Sequence, residues 1–226
     1  MIVTIHQPEH LVWLGLIKKI SDADVFVILD SVQFEKNYFQ NRNKIRTKDG
    51  WIWLTVPVKN SPLETLIKDI EISYDKPWQK KYLTSLRINY GKAKYFNNYY
   101  SKVESVILKK YKYLSDLNIE LLYFLLEEFG ISKKKIFKAS EMSIQNGSGA
   151  SNVCLQICKK FGKCTYLAGP SGKDYLKLQD FEDAGCKVIF HDFKHPEYKQ
   201  VYSGFLPFMS SLDALFNLGL EAKKIL

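Results

Sequence analysis

The chain has 226 residues, 46% apolar and 25% charged, enough to bury a full core in one large domain. It contains no run of about 18 apolar residues, which excludes a helical membrane span, and Met1–Ile5 gives way at once to polar His6-Gln7-Pro8, unlike a signal or transit peptide. The net charge of +9 fits either a solvated, lysine-rich surface or an anionic ligand such as a nucleotide, a sugar nucleotide or RNA; the expected location is the cytoplasm.

Residues 2–5 read as a strand, residues 12–20 as a short helix continuing into Ser21-Asp22-Ala23, and residues 24–29 as a strand apolar on both faces and therefore covered on both. Together they make a βαβ start. A polar loop follows. Lys44–Thr47 and Trp51–Val58 then flank Asp49-Gly50, a hairpin signal. Residues 67–72 read as a further short strand. From Pro77 to Phe129 the pattern is helical, with Gly130 as its stop.

Lys135–Lys138 reads as a strand, and Ser148 or Ser151 as the cap of a helix running to Lys160. Strands at Thr165–Ala168 and Lys187–Phe190, with a helix at 173–183 between them, make a second βαβ unit. A last helix is expected at 207–218. The fold class is α/β: a Rossmann-like, mixed or mostly parallel sheet with a β-hairpin excursion. One domain is expected over 1–226, with a helical insertion at about 77–130. Cys154, Cys158, Cys164 and Cys186 lack paired C-x-x-C spacing, so buried free thiols are expected and no metal site is assigned.

Four groups of residues carry candidate chemistry. His6 and Gln7 close the first strand, where open α/β sheets bind ligands, and His6 there serves as acid, base or phosphate ligand. Asp30 closes the second strand, followed by Gln33, Asn37, Gln40, Asn41, Arg42 and Asn43, groups suited to sugar hydroxyls or phosphate. Gly169 and Ser171 lie between a strand and a helix, where backbone amides can face an anion, although the Walker spacing is absent. His195, Tyr198, Gln200, Ser210 and Asp213 form the last group. Asp213 falls on an apolar helix, where a carboxylate needs a partner, either a basic residue or a histidine that it orients.

In this order, the pieces resemble the WbqC-like family. The resemblance rests on His6-Gln7-Pro8 with Trp13-Leu14-Gly15, Asp24–Asp30, Val32-Gln33-Phe34, Gln40–Asn43, Trp53–Pro57, His195–Gln200 and Phe205–Asn217. His10 departs from the pattern, where a tyrosine-like residue is expected, and is not assigned to catalysis. The resemblance implies a role in making or decorating activated sugars for bacterial surface polysaccharides of the O-antigen type. On that reading the protein is a transferase that N-acylates or aminoacylates a nucleotide-linked amino sugar, for example with glycine. His6 and Asp30 are then the catalytic candidates and the other residues of the four groups bind substrate. No cofactor is assigned. The implied acyl donor is an aminoacyl-tRNA, a carrier thioester or an ATP-derived adenylate, with tRNA or a carrier protein as partner. The opening strand, histidine turn and buried second strand are also similar to HUP-type nucleotide-binding enzymes, which makes ATP-dependent adenylyl transfer the rival enzymatic reading; the non-enzymatic rival is a sugar-nucleotide-binding scaffold.

Overall fold

The apolar run Val25-Phe26-Val27-Ile28, β-branched at three of its four positions, is buried throughout, as in a strand with cover on both faces. It forms β2 (Val25–Ile28) and pairs in parallel with β1 (Ile2–His6) and β5 (Lys135–Lys138). β6 (Cys164–Ala168) pairs with the other edge of β1, and β7 (Cys186–Phe190) with β6, both in parallel. The computed structural model describes residues 1–131, 133–145 and 149–226. Ser148, one of the two expected helix caps, lies outside the described residues.

The sheet order is β5-β2-β1-β6-β7. From β1 the chain moves outward through β2 and β5, then returns to the other side of β1 for β6 and β7. The strand order therefore reverses between β1 and β6. One sheet face is covered by α5 (Ala150–Lys159) and α6 (Leu178–Asp183), with Val3, Ile5, Val25, Val27, Tyr166 and Phe181 among the buried side chains. All pairings in this sheet are parallel, as βαβ crossovers require.

Chain contacts divide the protein into two compact units. The sheet unit comprises residues 1–7, 18–32 and 133–194, and the second unit residues 8–17, 33–132 and 195–226. In the second unit β3 (Arg42–Thr47) and β4 (Gly50–Thr55) form the expected hairpin, and Gly50 takes φ +139° where it pairs with Thr47. Lys48 and Asp49 therefore occupy the tip, one residue earlier than the Asp49-Gly50 pair suggests. The helical stretch resolves into α2 (Trp78–Tyr90), α3 (Phe96–Leu108) and α4 (Leu114–Glu128). α3 packs on α2, on α4 and on α7 (Ser211–Leu218), whose Phe216 ring lies 5.1 Å from both Tyr90 and Phe96.

Several expected elements differ locally. Residues 67–72 form no strand: Ile67–Asp69 is a turn of 3-10 helix, and Ile72 makes only an isolated bridge to Val58. The helix expected at 173–183 begins at Leu178, because a 3-10 turn over Pro170–Asp174 takes up the preceding residues. Ser151 does not cap α5; its hydroxyl accepts the Lys177 amide, and Gly149 holds the cap position. Lys134 is one lysine that is not simply solvated. Its ammonium donates to the Ser21 carbonyl at 2.7 Å and to that of Ala23, at the end of α1 (Leu14–Asp22). Among the described residues no helix is long and apolar enough to cross a membrane.

Candidate functional site

The carboxyl ends of β1 and β6 flank the point where the strand order reverses, the place at which open α/β sheets generally bind ligands. β1 ends at His6, and β6 ends at Ala168, before Gly169. The side chain between them is Lys19, from the last turns of α1. Only 3% exposed, it donates to the Ile5 carbonyl at 3.1 Å and lies 3.3 Å from His6 Nδ1. Gly169 adjoins the same ammonium: a Cβ built there would stand 3.9 Å from it, an ordinary contact.

An ammonium has only hydrogens to offer, so His6 Nδ1 accepts and the ring proton sits on Nε2. In this arrangement His6 presents a donor, which suits a phosphate or carbonyl oxygen better than a proton to be abstracted. Gln7 follows it, half-buried, and Ser171 is exposed beyond Gly169. Gly172 is closely packed: a Cβ there would meet Leu176 at 3.0 Å and Ala168 and Phe190 at 3.2 Å, so these side chains would have to shift.

Asp30 is 2% exposed. Its Oδ1 accepts the Ser140 amide at 2.9 Å and its Oδ2 the Ser140 hydroxyl at 2.6 Å, so it ties the chain leaving β2 to the chain leaving β5. At the end of β7, His191 donates its backbone amide to Ala168 O at 2.8 Å and sets its ring Nε2 3.6 Å from Asp22. Burial lowers the His191 pKa, and the Lys19 and Lys18 charges push the same way against Asp22.

In the second unit, the amide-rich loop is turned inward. Gln40, Asn41 and Asn43 are buried. Asn43 Nδ2 donates to the His10 and Leu11 carbonyls at 3.0 and 2.9 Å, holding Leu11 at φ 45°. Asn41 Nδ2 donates to Val56 O at 3.1 Å, and Gln40 Oε1 accepts the Glu35 amide at 2.8 Å. Arg42 is the partly exposed member: its guanidinium lies 4.1 Å from the Trp53 ring centroid and donates to the carbonyl of Asn37, itself exposed at φ 64°. Gln33 is exposed and bridges Leu66.

The late polar residues also converge on one another. Asp213, fully buried, accepts from Tyr90 at 2.9 Å, Tyr198 at 2.7 Å and Gln200 at 2.9 Å. Its hydrogen-bond partners are thus two phenols and an amide, where a basic residue or a histidine was expected. Burial raises its pKa against those hydrogen bonds and the nearby Arg46. Ser210 caps α7 through the Leu212 amide. His195 Nδ1 meets Pro196 O at 3.0 Å within a cage of Tyr198, Phe205 and Phe208, and burial lowers its pKa.

Residues 7–225 match the profile of the WbqC-like protein family. The chain belongs to this family. It is also 31% identical over 228 residues to the uncharacterized protein Rv1507c of Mycobacterium tuberculosis, with 97% of this chain and 95% of that protein covered. No solved structure matches the chain.

In this WbqC-like chain the residue that sequence reasoning missed is Lys19. One signal does point to it. Gly15 and Ala23 lie four residues to either side, so Lys19 shares a helix stripe with small residues, next to Leu16 and Ile20. A lysine on that stripe is carried toward the core. Lys18, one position away, is half-exposed and pairs with Asp22.

Proposed function

We propose that this protein binds a nucleotide-linked amino sugar at the carboxyl ends of β1 and β6 and transfers an acyl or aminoacyl group to its amine, in the assembly of bacterial surface polysaccharide. The observation that carries the binding half is the buried Lys19 ammonium, held beside His6 and Gly169 where the strand order reverses. A fixed cation in a low-dielectric crevice is a strong partner for a diphosphate. The transfer half is supported by the resemblance to the WbqC-like family and what it implies for activated sugars.

In this reading Lys19 and the Nε2–H of His6 hold diphosphate oxygens, and Gly169 admits the close approach of the ligand. The sugar amine attacks the acyl carbonyl, a C–N bond forms, the bond to the donor's leaving group breaks, and the amine proton passes to water or a base. The donor is an aminoacyl-tRNA, a carrier thioester or an acyl-adenylate. The parallel order with its switch point beside His6 also favours a second reading, adenylyl transfer with ATP in the same crevice.

Calorimetric titration with nucleoside-diphosphate amino sugars, and with ATP and magnesium, tests both readings. Lys19→Met should weaken the bound ligand roughly 10- to 100-fold, the value of a charge-assisted hydrogen bond. It should not lower the melting temperature, because a buried charge is costly to desolvate. Binding of the amino-sugar nucleotide with gain of an acyl mass on incubation with donor supports the first reading; pyrophosphate release from ATP supports the second. Unchanged affinity in Lys19→Met would remove the site from both.

A further inference from the structure

The amino ends of β6 and β7 carry a cluster that the nucleotide reading does not use. Cys164 and Cys186 are register partners across the two strands, and their sulfurs are 3.0 Å apart. Cys158, in the last turn of α5, completes a set of three buried thiols whose sulfurs all lie within 4.8 Å of one another. The spacing along the chain hides this, because the three come from a helix end and two different strands.

Thiolates about 2.3 Å from a tetrahedral ion sit about 3.8 Å from each other, so the set fits around one ion once Cys164 and Cys186 separate by under about 1 Å. The chemistry points the same way. Cys158, Cys164 and Cys186 are all buried and free, so no disulfide competes for their sulfurs. An arriving cation displaces the thiol protons as it binds. Three sulfurs without oxygen ligands select soft ions, and a divalent one leaves less buried charge than a monovalent one. Cys186 also lines a cavity of about 510 Å³ with Leu178, Glu182, Gly185, Lys187 and Val188, which offers a route of entry and room for a water as fourth ligand.

We propose that Cys158, Cys164 and Cys186 form a three-thiolate site for a soft divalent cation, Zn²⁺ first among them. Binding forms three S–Zn bonds and releases the protons of the thiols that were not already ionised.

The test uses the full-length protein, purified fully reduced and freed of metal. Zn²⁺ should bind at one ion per chain by elemental analysis after gel filtration, raise the melting temperature and be reversed by a chelator. Co²⁺ in its place should give thiolate charge-transfer bands and the visible spectrum of a tetrahedral site. Cys158→Ser and Cys186→Ser should each reduce uptake at least tenfold, whereas Cys154→Ser, outside the cluster and contacted by the Tyr166 hydroxyl at 3.5 Å, should leave it unchanged. The Co²⁺ spectrum of the wild-type protein decides the matter even if a serine variant fails to fold. Absence of thiolate charge transfer, or a Cys164–Cys186 disulfide in protein isolated without reductant that excludes the metal, would overturn the proposal.

Discussion

His10 lies four residues after His6, and the structure gives it an exact protonation state to test. Asn118 Nδ2 donates to the Pro8 and Gln40 carbonyls at 2.8 and 2.7 Å, which fixes its Oδ1 as the acceptor facing His10 Nδ1 at 2.9 Å. His10 Nδ1 therefore carries the proton, and Nε2 accepts from the Tyr82 hydroxyl at 2.7 Å. A second proton on Nε2 would face a group already oriented to donate. Burial adds its own penalty and lowers the pKa from 6.5 to about 4. The unfolded chain thus binds more protons than the native protein between these values. The neutral ring's contribution to stability is complete above pH 6.5 and is lost as pH falls toward 4, by about 3 kcal/mol in all. His10→Gln keeps one donor and one acceptor but cannot titrate. Urea unfolding of both proteins from pH 7 to pH 4 should show the wild type losing about 3 kcal/mol relative to the variant. Parallel stability curves would refute the buried, neutral assignment.

Three further substitutions test the internal networks, each by denaturant unfolding. Asp213→Asn turns an amide NH₂ toward donors from Tyr90, Tyr198 and Gln200 and should cost about 2–4 kcal/mol. Because the Asp213 pKa is raised in the folded protein, its ionisation erodes stability as pH climbs above 3.8, and the variant should lack that slope. Lys134→Ala should cost about 1–2 kcal/mol by freeing the carbonyls at the end of α1, while the exposed Lys133→Ala should stay within about 0.5 kcal/mol. Asn43→Ala removes both bonds that hold the positive-φ Leu11 turn and should cost about 2–3 kcal/mol.

The parts of the fold that were legible are those where local chemistry and tertiary context agree. Val25–Ile28 is apolar at every position and sits second in the sheet; Asp49-Gly50 marks the hairpin within one residue. The failures have physical causes. Ile67–Ile72 has strand-like residues but contributes only isolated bridges at Glu71 and Ile72, and the residues before Leu178 are drawn into the turn that Pro170 opens. The Gln40–Asn43 amides looked like a recognition loop because composition cannot say which way an amide points. Three of those four side chains are buried and bond to the backbone. Lys19 was hidden by a lysine-rich background, and the cysteine cluster by linear spacing.

His6 and His10 belong to one short segment, yet the first ends a strand beside an ammonium and the second is sealed between an asparagine and a tyrosine. A histidine with both nitrogens satisfied by neutral partners has nothing left for a substrate; one whose Nδ1 accepts from a buried cation carries its ring proton on Nε2. In the late His195–Gln200 segment, Tyr198 and Gln200 are bonded to Asp213, which is fully buried. The motifs of the second unit thus serve largely to hold that unit together, and the function proposed above leaves the anionic ligand to a sparse set at the strand ends, His6, Lys19 and Gly169. Substitutions in the motifs should therefore register first in stability, and substitutions in the sparse set first in ligand affinity.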